Sequence, residues 1–216
     1  MSATLIRRDL GRMAYADSWR AMRRFVDERS SETLDECWFL EHPSVYTQGQ
    51  AGRATHIHNP GEIPVVQTDR GGQVTYHGPG QLVVYTLFDL RRLGIGVRTM
   101  VQRLENTVVA LLRDYSITAT GNRSAPGVYI EAEKVAALGL RVRKGCTYHG
   151  LALNVAMDLH PYDGIDPCGY SNLRVCDLAQ HGVNDSLAVV ADNLCHCLCR
   201  EFRYNRVDSK PTLEQL

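Results

Sequence analysis

Apolar residues fall along this chain in two rhythms. Tyr15, Trp19, Met22 and Val26 recur at three- and four-residue spacing with charges between them, which predicts an amphipathic helix over residues 14–29. Val101, Leu104, Val108, Leu111 and Tyr115 predict a second helix over 99–114, and Leu187, Val190, Leu194, Leu198 and Phe202 mark one face of a last one. The other rhythm is that of strands. Residues 4–8 predict a short one, and 36–46 (ECWFLEHPSVY) another, broken near Pro43 because proline cannot donate to a ladder. Further strands are expected over 63–68, 127–130, 134–142 and 147–155. The run QLVVYTLFDL (81–90) is almost continuously apolar and β-branched, as a strand buried on both faces would be. Residues 49–61 and 158–170 are polar, rich in Gly and Pro, and read as loop. Strands neighbour one another more often than they alternate with helices, which predicts an α+β fold with a mixed sheet flanked by helices. No repeat, low-complexity stretch or linker divides the chain, so a single domain is expected over 1–216.

Three segments carry candidate chemistry. DRGGQVTYHGPGQ (69–81) places a threonine, a tyrosine and a histidine among glycines and prolines. Glycines let backbone approach a ligand closely, and a loop of this kind offers N–H groups to a carbonyl, a carboxylate or a phosphate. In IDPCGYSNL (165–173), Cys168 sits in an irregular Pro-Cys-Gly turn, unlike the usual free cysteine packed in a helix or strand. In EKVAALGLRV (133–142), Lys134 opens an apolar run, where burial is expected to lower the pKa of its amine and fit it for proton exchange. Lysine is scarce here: only Lys134, Lys144 and Lys210 among 24 basic residues.

Composition narrows the class. Apolar residues are 44% and charged ones 22%, ordinary for a globular protein. Basic and acidic residues balance at 24 each, so net charge points to neither nucleic acid nor membrane. No window is long and apolar enough for a membrane span, and MSATLIRRDLGRM lacks the pattern of a secretory signal. The seven cysteines are then expected to be reduced thiols of a cytoplasmic protein. CHCLC (195–199) falls within the last helix, where residues two apart lie on nearly opposite faces. Cys197 cannot join Cys195 and Cys199 in one tetrahedral site, so no metal is expected. His56 and His58 read as a solvated pair. Arg141, Arg143 and Lys144, together with Arg91 and Arg92, form basic clusters suited to an acidic partner or to a solvated face.

Taken together, RGGQVTYHGPGQ, then EKVAALGLRV followed by TYHGLALNV, then DPCGYSNL closely resemble, in order and spacing, the lipoyl(octanoyl) transferases of bacterial and organellar lipoate synthesis. The likeness runs from about the first helix to past Cys168. It implies the fold of the catalytic domain shared by biotin protein ligases and lipoate ligases. The implied reaction moves an octanoyl group from octanoyl-acyl carrier protein to a specific lysine, on lipoyl domains of 2-oxoacid dehydrogenase complexes or on the glycine cleavage H protein. This is the first step of endogenous protein lipoylation and needs no cofactor. By the same resemblance Cys168 is the nucleophile that becomes an acyl thioester, and Lys134 lowers its pKa and shuttles protons. Arg70, Gly71, Gly72, Gln73, Val74, Thr75, Tyr76 and His77 line the acyl site, with Ala137, Leu138, Gly139, Gly150, Leu151 and Ala152.

The residues support this chemistry by themselves. Exchange of one thioester for another is nearly isoenergetic and amide formation is downhill, so no ATP is required, and no GxxxxGK[ST] loop is present. Backbone N–H groups near Gly71–Gly72 or Gly169, or His77, are the expected oxyanion donors. Leu138, Leu140, Leu151 and Leu153 are the expected walls for an eight-carbon chain. Two rivals remain: an ATP-dependent lipoate or biotin ligase of the same fold, which needs no cysteine, and a binding module that keeps the pocket without catalysis.

Overall fold

The central strands carry a different apolar set on each face, and that decides the architecture. The computed structural model describes residues 3–122, 125–171, 173–210 and 213. In chain order the elements are β1 (Thr4–Arg12), α1 (Tyr15–Glu28), β2 (Asp35–Glu41), β3 (Val45–Gln48), β4 (Val65–Gln67), β5 (Val74–His77), β6 (Gln81–Leu87), α2 (Leu90–Leu93), α3 (Val97–Asp114), β7 (Thr120–Gly121), β8 (Gly127–Ile130), β9 (Glu133–Arg143), β10 (Cys146–Asn154), α4 (Leu187–Phe202) and β11 (Arg206–Ser209). Eight strands form one sheet in the order β11-β1-β2-β6-β10-β9-β8-β7, and β4-β3-β5 form a smaller one. In the large sheet β1 runs parallel to β2 and β11, and the other pairs are antiparallel. The sheet is mixed, as expected.

Successive strand residues point to opposite faces. In β2, Cys37 and Phe39 join Leu82 and Val84 of β6 under α3 and α4, while Trp38 and Leu40 join Val83 and Tyr85 under α1. Helices cover both faces, which is why β2 and β6 show no polar alternation. The helices are held by their buried stripes: Met22, Phe25 and Val26 in α1, Leu104, Val108 and Leu111 in α3, Val190, Leu194 and Leu198 in α4. Each such side chain contributes about 1.5–3 kcal/mol on burial.

Several boundaries depart from the sequence reading for local reasons. The run from Gln81 stops at Leu87 because Asp89 caps α2, accepting from the N–H groups of Arg91 (2.9 Å) and Arg92 (3.2 Å). Inside the Gly-rich segment Val74–His77 is strand, not loop, since its β-branched and aromatic residues pair antiparallel with β3. The break expected near Pro43 is present, but the strands on its two sides, β2 and β3, belong to different sheets. The charged segment Arg206–Ser209 becomes β11 only because β1 offers it a parallel edge, Thr4 opposite Arg206 through Arg7 opposite Ser209. Among the described residues no helix is long and apolar enough to cross a membrane.

Candidate active site

Lys134 is the second residue of β9, and a slip in the ladder sets its direction. Val128 of β8 faces Ala136 but Tyr129 faces Lys134, so Val135 is an extra residue and the strand bends there. Gly127 makes room for the side chain. A Cβ at Gly127 would lie 2.8 Å from Lys134 Cε and 3.1 Å from Nζ. The lysine is only 3% exposed. Its Nζ donates to the Pro126 carbonyl (3.2 Å) and to Cys168 Sγ (3.0 Å), and stands 5.1 Å from the centre of the Tyr129 ring.

Cys168 lies in a single 3-10 turn, Pro167–Gly169, at φ 58° and ψ 15°. A left-handed conformation at a non-glycine residue costs of order 1–3 kcal/mol and persists only where its surroundings enforce it. They do so from both sides. After the turn, Lys134 N–H donates to the Arg174 carbonyl (2.9 Å) and Cys176 N–H to the Lys134 carbonyl (3.1 Å). Before it, Ile57 bridges Ile165, Asp166 N–H donates to the His56 carbonyl (2.9 Å), and His58 Nε2 lies 2.9 Å from Asp166 Oδ1. His56 is therefore half-buried in a strut against the cysteine turn, while His58 is exposed, as expected, and still reaches Asp166. Gly169 follows at φ 81°, and a Cβ there would meet His56 Cε1 at 3.1 Å and Gln73 Cδ at 3.3 Å. Asn172 of the DPCGYSNL segment lies outside the described residues.

Burial is the largest influence on the Lys134 amine and drives its pKa down, but the Cys168 charge and hydrogen bond outweigh it, with Tyr129 adding to them. The net direction is upward from the ordinary lysine value, opposite to the expectation from burial alone.

The thiol opens on a cavity of about 320 Å³, at the compact end of the ~300–1,000 Å³ usual for small-ligand sites. Arg70, Gly71, Gly72, Gln73, Val74, Thr75 and His77 line it from the Gly-rich segment, Ala137, Leu138, Gly139 and Leu140 from β9, and Gly150, Leu151 and Ala152 from β10. Gly71 N–H donates to the Leu140 carbonyl (2.9 Å), tying the loop to β9. Tyr76 does not line the cavity. Strand alternation turns it toward Tyr46 and Tyr162, with its hydroxyl 3.0 Å from Ser44 Oγ. Leu153 is also absent from the wall and belongs to the main core. Arg70 holds the loop from inside: Nε and Nη2 donate to Thr47 Oγ1, Nη1 to the Gly71 carbonyl, and Nη2 to the carbonyls of Thr47 and Gln73.

Some lining residues escaped the sequence reading. Tyr15, on the apolar face of its helix, and Tyr85, in a buried strand, both line the cavity with His149. A signal for His149 existed: TYHG occurs twice, at 75–78 and 147–150, and both histidines line the cavity. His149 sits at φ 60° with Nε2 2.9 Å from Asp69 Oδ1, and Asp69 also accepts from Tyr148 Oη (2.5 Å) and Trp19 Nε1 (2.8 Å). Burial would raise the Asp69 carboxyl, but these bonds, led by that from His149, hold it far below the usual range. Burial pushes the His149 imidazole down, favouring its neutral form.

Residues 14–199 match the model of the lipoyl protein ligase A/B catalytic domain. The chain belongs to that family. It is 53% identical over 204 residues to an octanoyltransferase of Pseudomonas syringae pv. syringae, 94% of each chain, and 57% identical over 192 residues to one of Alkalilimnicola ehrlichii, covering 88% of this chain and 89% of that one. Among solved structures it resembles lipoate-protein ligase A bound with ATP, with a TM-score of 0.81, 16% identity and coverage of 99% and 90%. It also resembles the biotin protein ligase of Aquifex aeolicus, at 0.55, 14%, and 94% and 70%. The expected fold is thus the observed one. The lipoyl protein ligase A/B match continues to residue 199, through most of α4, well past the last motif that carried the resemblance.

Outside the cavity the basic clusters of this family member are partly paired. Arg143 and Lys144 pair with Asp27 at 2.8 and 3.5 Å, Arg141 donates to Gln50, and Arg92 pairs with Asp35. In α4, Cys195 and Cys199 hydrogen-bond to each other, while Cys197 turns to Asp114 and Arg200. Among the described residues no three metal-ligating side chains converge.

Proposed function

We propose that this enzyme, a transferase, moves an octanoyl group from octanoyl-acyl carrier protein to a lysine of lipoyl domains through a thioester on Cys168. One observation carries the reading: Lys134 Nζ stands 3.0 Å from Cys168 Sγ at the wall of an apolar cavity. In this reading the reacting form is a Cys168 thiolate beside the Lys134 ammonium. The thiolate attacks the donor carbonyl, an S–C bond forms, and collapse breaks the carrier's S–C bond. The carrier thiolate leaves with the proton of the Lys134 ammonium. Acylation also removes the charge on Cys168 that held the lysine protonated, so burial, the largest influence, then acts unopposed by it. Lys134 becomes a neutral amine, able to take a proton from the acceptor lysine as that nitrogen attacks the thioester. Cys168 departs as a thiolate beside a renewed ammonium, and the pair is restored.

Leu138, Leu140 and Leu151, with Ala137 and Ala152, supply carbon walls for the chain in this reading. Each buried methylene contributes about 0.8 kcal/mol, so shorter acyl groups are expected to bind more weakly. No step calls for ATP, and a cytoplasmic setting, where carrier and acceptor are found, suits seven free thiols. The likeness to lipoate-protein ligase A keeps a second reading in view: activation of a free acid as an adenylate. Intact-mass spectrometry separates the two. With octanoyl-acyl carrier protein and no nucleotide, the protein should gain one octanoyl group, mapped to Cys168 and passed on to a lipoyl domain. Strict dependence on free octanoate and ATP would overturn the thioester route.

A further inference from the structure

The anionic tetrahedral intermediate of each half-reaction needs a hydrogen-bond donor beside Cys168, and most of the expected donors are engaged elsewhere. Gly71 N–H is bonded to the Leu140 carbonyl and Gly169 N–H to the Asp166 carbonyl, both at 2.9 Å. His77 is bound at both nitrogens, Nδ1 to Gln81 Oε1 (2.7 Å) and Nε2 to Thr47 Oγ1 (3.3 Å). Gln73 is placed differently. It lines the same cavity as Cys168, and its Cδ lies 3.3 Å from where a Cβ on Gly169, the next residue, would stand. Its Oε1 lies 3.1 Å from His56 Nδ1. With Nδ1 protonated, His56 donates to that oxygen and fixes the carboxamide, leaving both N–H bonds of Gln73 Nε2 without a partner among the described residues. His56 is itself held in the strut that braces the cysteine turn, through its carbonyl and Asp166 N–H.

We infer that Gln73 Nε2 donates to the thioester oxygen as it becomes an oxyanion, and that His56 is the positioning residue that turns the carboxamide this way. The inference rests on the thioester reading above. As Sγ bonds to the carbonyl carbon, the C=O π pair moves onto oxygen and is met by the Gln73 N–H. When the donor's S–C bond breaks, the pair returns to re-form C=O, and no proton moves to or from Gln73. A preorganised donor of this kind is worth most in the transition state.

Two reactions of the same thiol test it. Octanoylation of Cys168 by octanoyl-acyl carrier protein, followed by rapid-quench intact mass, passes through an oxyanion. Alkylation by iodoacetamide does not. Gln73→Ala should slow octanoylation by about 10²-fold while alkylation keeps the wild-type rate. His56→Ala should slow octanoylation several-fold, and His56→Asn, whose amide N–H replaces the Nδ1–H donor, should recover most of it. Wild-type octanoylation in Gln73→Ala would overturn the inference. So would an equal loss in both reactions, which would make Gln73 a support of the turn. A wild-type protein that alkylates at Cys168 but never octanoylates would instead overturn the thioester reading itself.

Discussion

Lys134 brings a positive charge into a site that leaves it 3% exposed, and a sulfur 3.0 Å away makes that tolerable. Neither residue does its work alone. Without the ammonium, the Cys168 thiolate loses its nearest cation, so Lys134→Ala should slow alkylation of Cys168 at neutral pH by about tenfold or more. An unchanged rate across the pH range would mean that the two do not form a functional pair. Lys134→Arg keeps a charge that cannot be given up as a proton, so it should lose turnover out of proportion to any change in alkylation. Lys144→Arg, at an exposed site paired with Asp27, is the mild control. Cys168→Ser should abolish transfer without loss of fold, since a hydroxyl is a poor replacement for a thiolate. The sequence made both residues visible, one by its odd turn and one by its scarcity. It did not show which way the lysine titrates, because that depends on a neighbour 34 residues away.

The elements matter through their ends and irregularities more than through their lengths. The slip in β8–β9 and the bare Cα of Gly127 direct the lysine, so Gly127→Ala should displace Lys134 and impair transfer, with a cost in stability as well because its Cβ would lie 2.8 Å from the Ala136 carbonyl oxygen. Comparing acylation rates with melting temperatures checks this. Asp89 offers the opposite case. Its carboxylate caps α2 far from the cavity wall, and Asp89→Ala should cost about 1 kcal/mol of stability with turnover preserved. Urea unfolding should show a lower midpoint at an unchanged slope. Equal stability of the two proteins would show that α2 is held by its neighbours alone. Periodicity disclosed α1, α3 and α4 almost to the residue, because each buries one stripe. It could not disclose the Val135 bulge, which exists only against the partner strand.

At the scale of the molecule, folding brings three imidazoles into the interior between α1, the small sheet and β10. Burial lowers His42 to about 4, pushes His77 well down and lowers His149. All three are then neutral in the folded chain, while in the unfolded chain a histidine takes a proton below about 6.5. The unfolded state therefore binds more protons between about 6.5 and the folded values, and stability is lost as pH falls through that window. His42 alone contributes on the order of 3 kcal/mol between pH 6.5 and its folded value of about 4. Denaturation at pH 7, 5.5 and 4.5 should show a steep fall, shallower in His42→Gln when each protein is referred to its own value at pH 7. A flat profile above pH 4.5 would contradict the burial.

Local pattern was enough for the fold class, the long helices, the apolar strands and the singling out of Cys168 as a candidate, because each of these expresses itself over a few consecutive residues. Tertiary structure alone decided the rest. Tyr76 leaves the cavity that its neighbours line because strand alternation acts only once β5 has found β3. Arg206–Ser209 is a strand because β1, about two hundred residues earlier, supplies its edge. His56 meets Gln73 and Gly169 because residues 57 and 165 bridge. Hydrophobic period is a property of a segment, whereas protonation, orientation and hydrogen-bond partnership belong to pairs, and these pairs are set by the packing of both faces of one sheet.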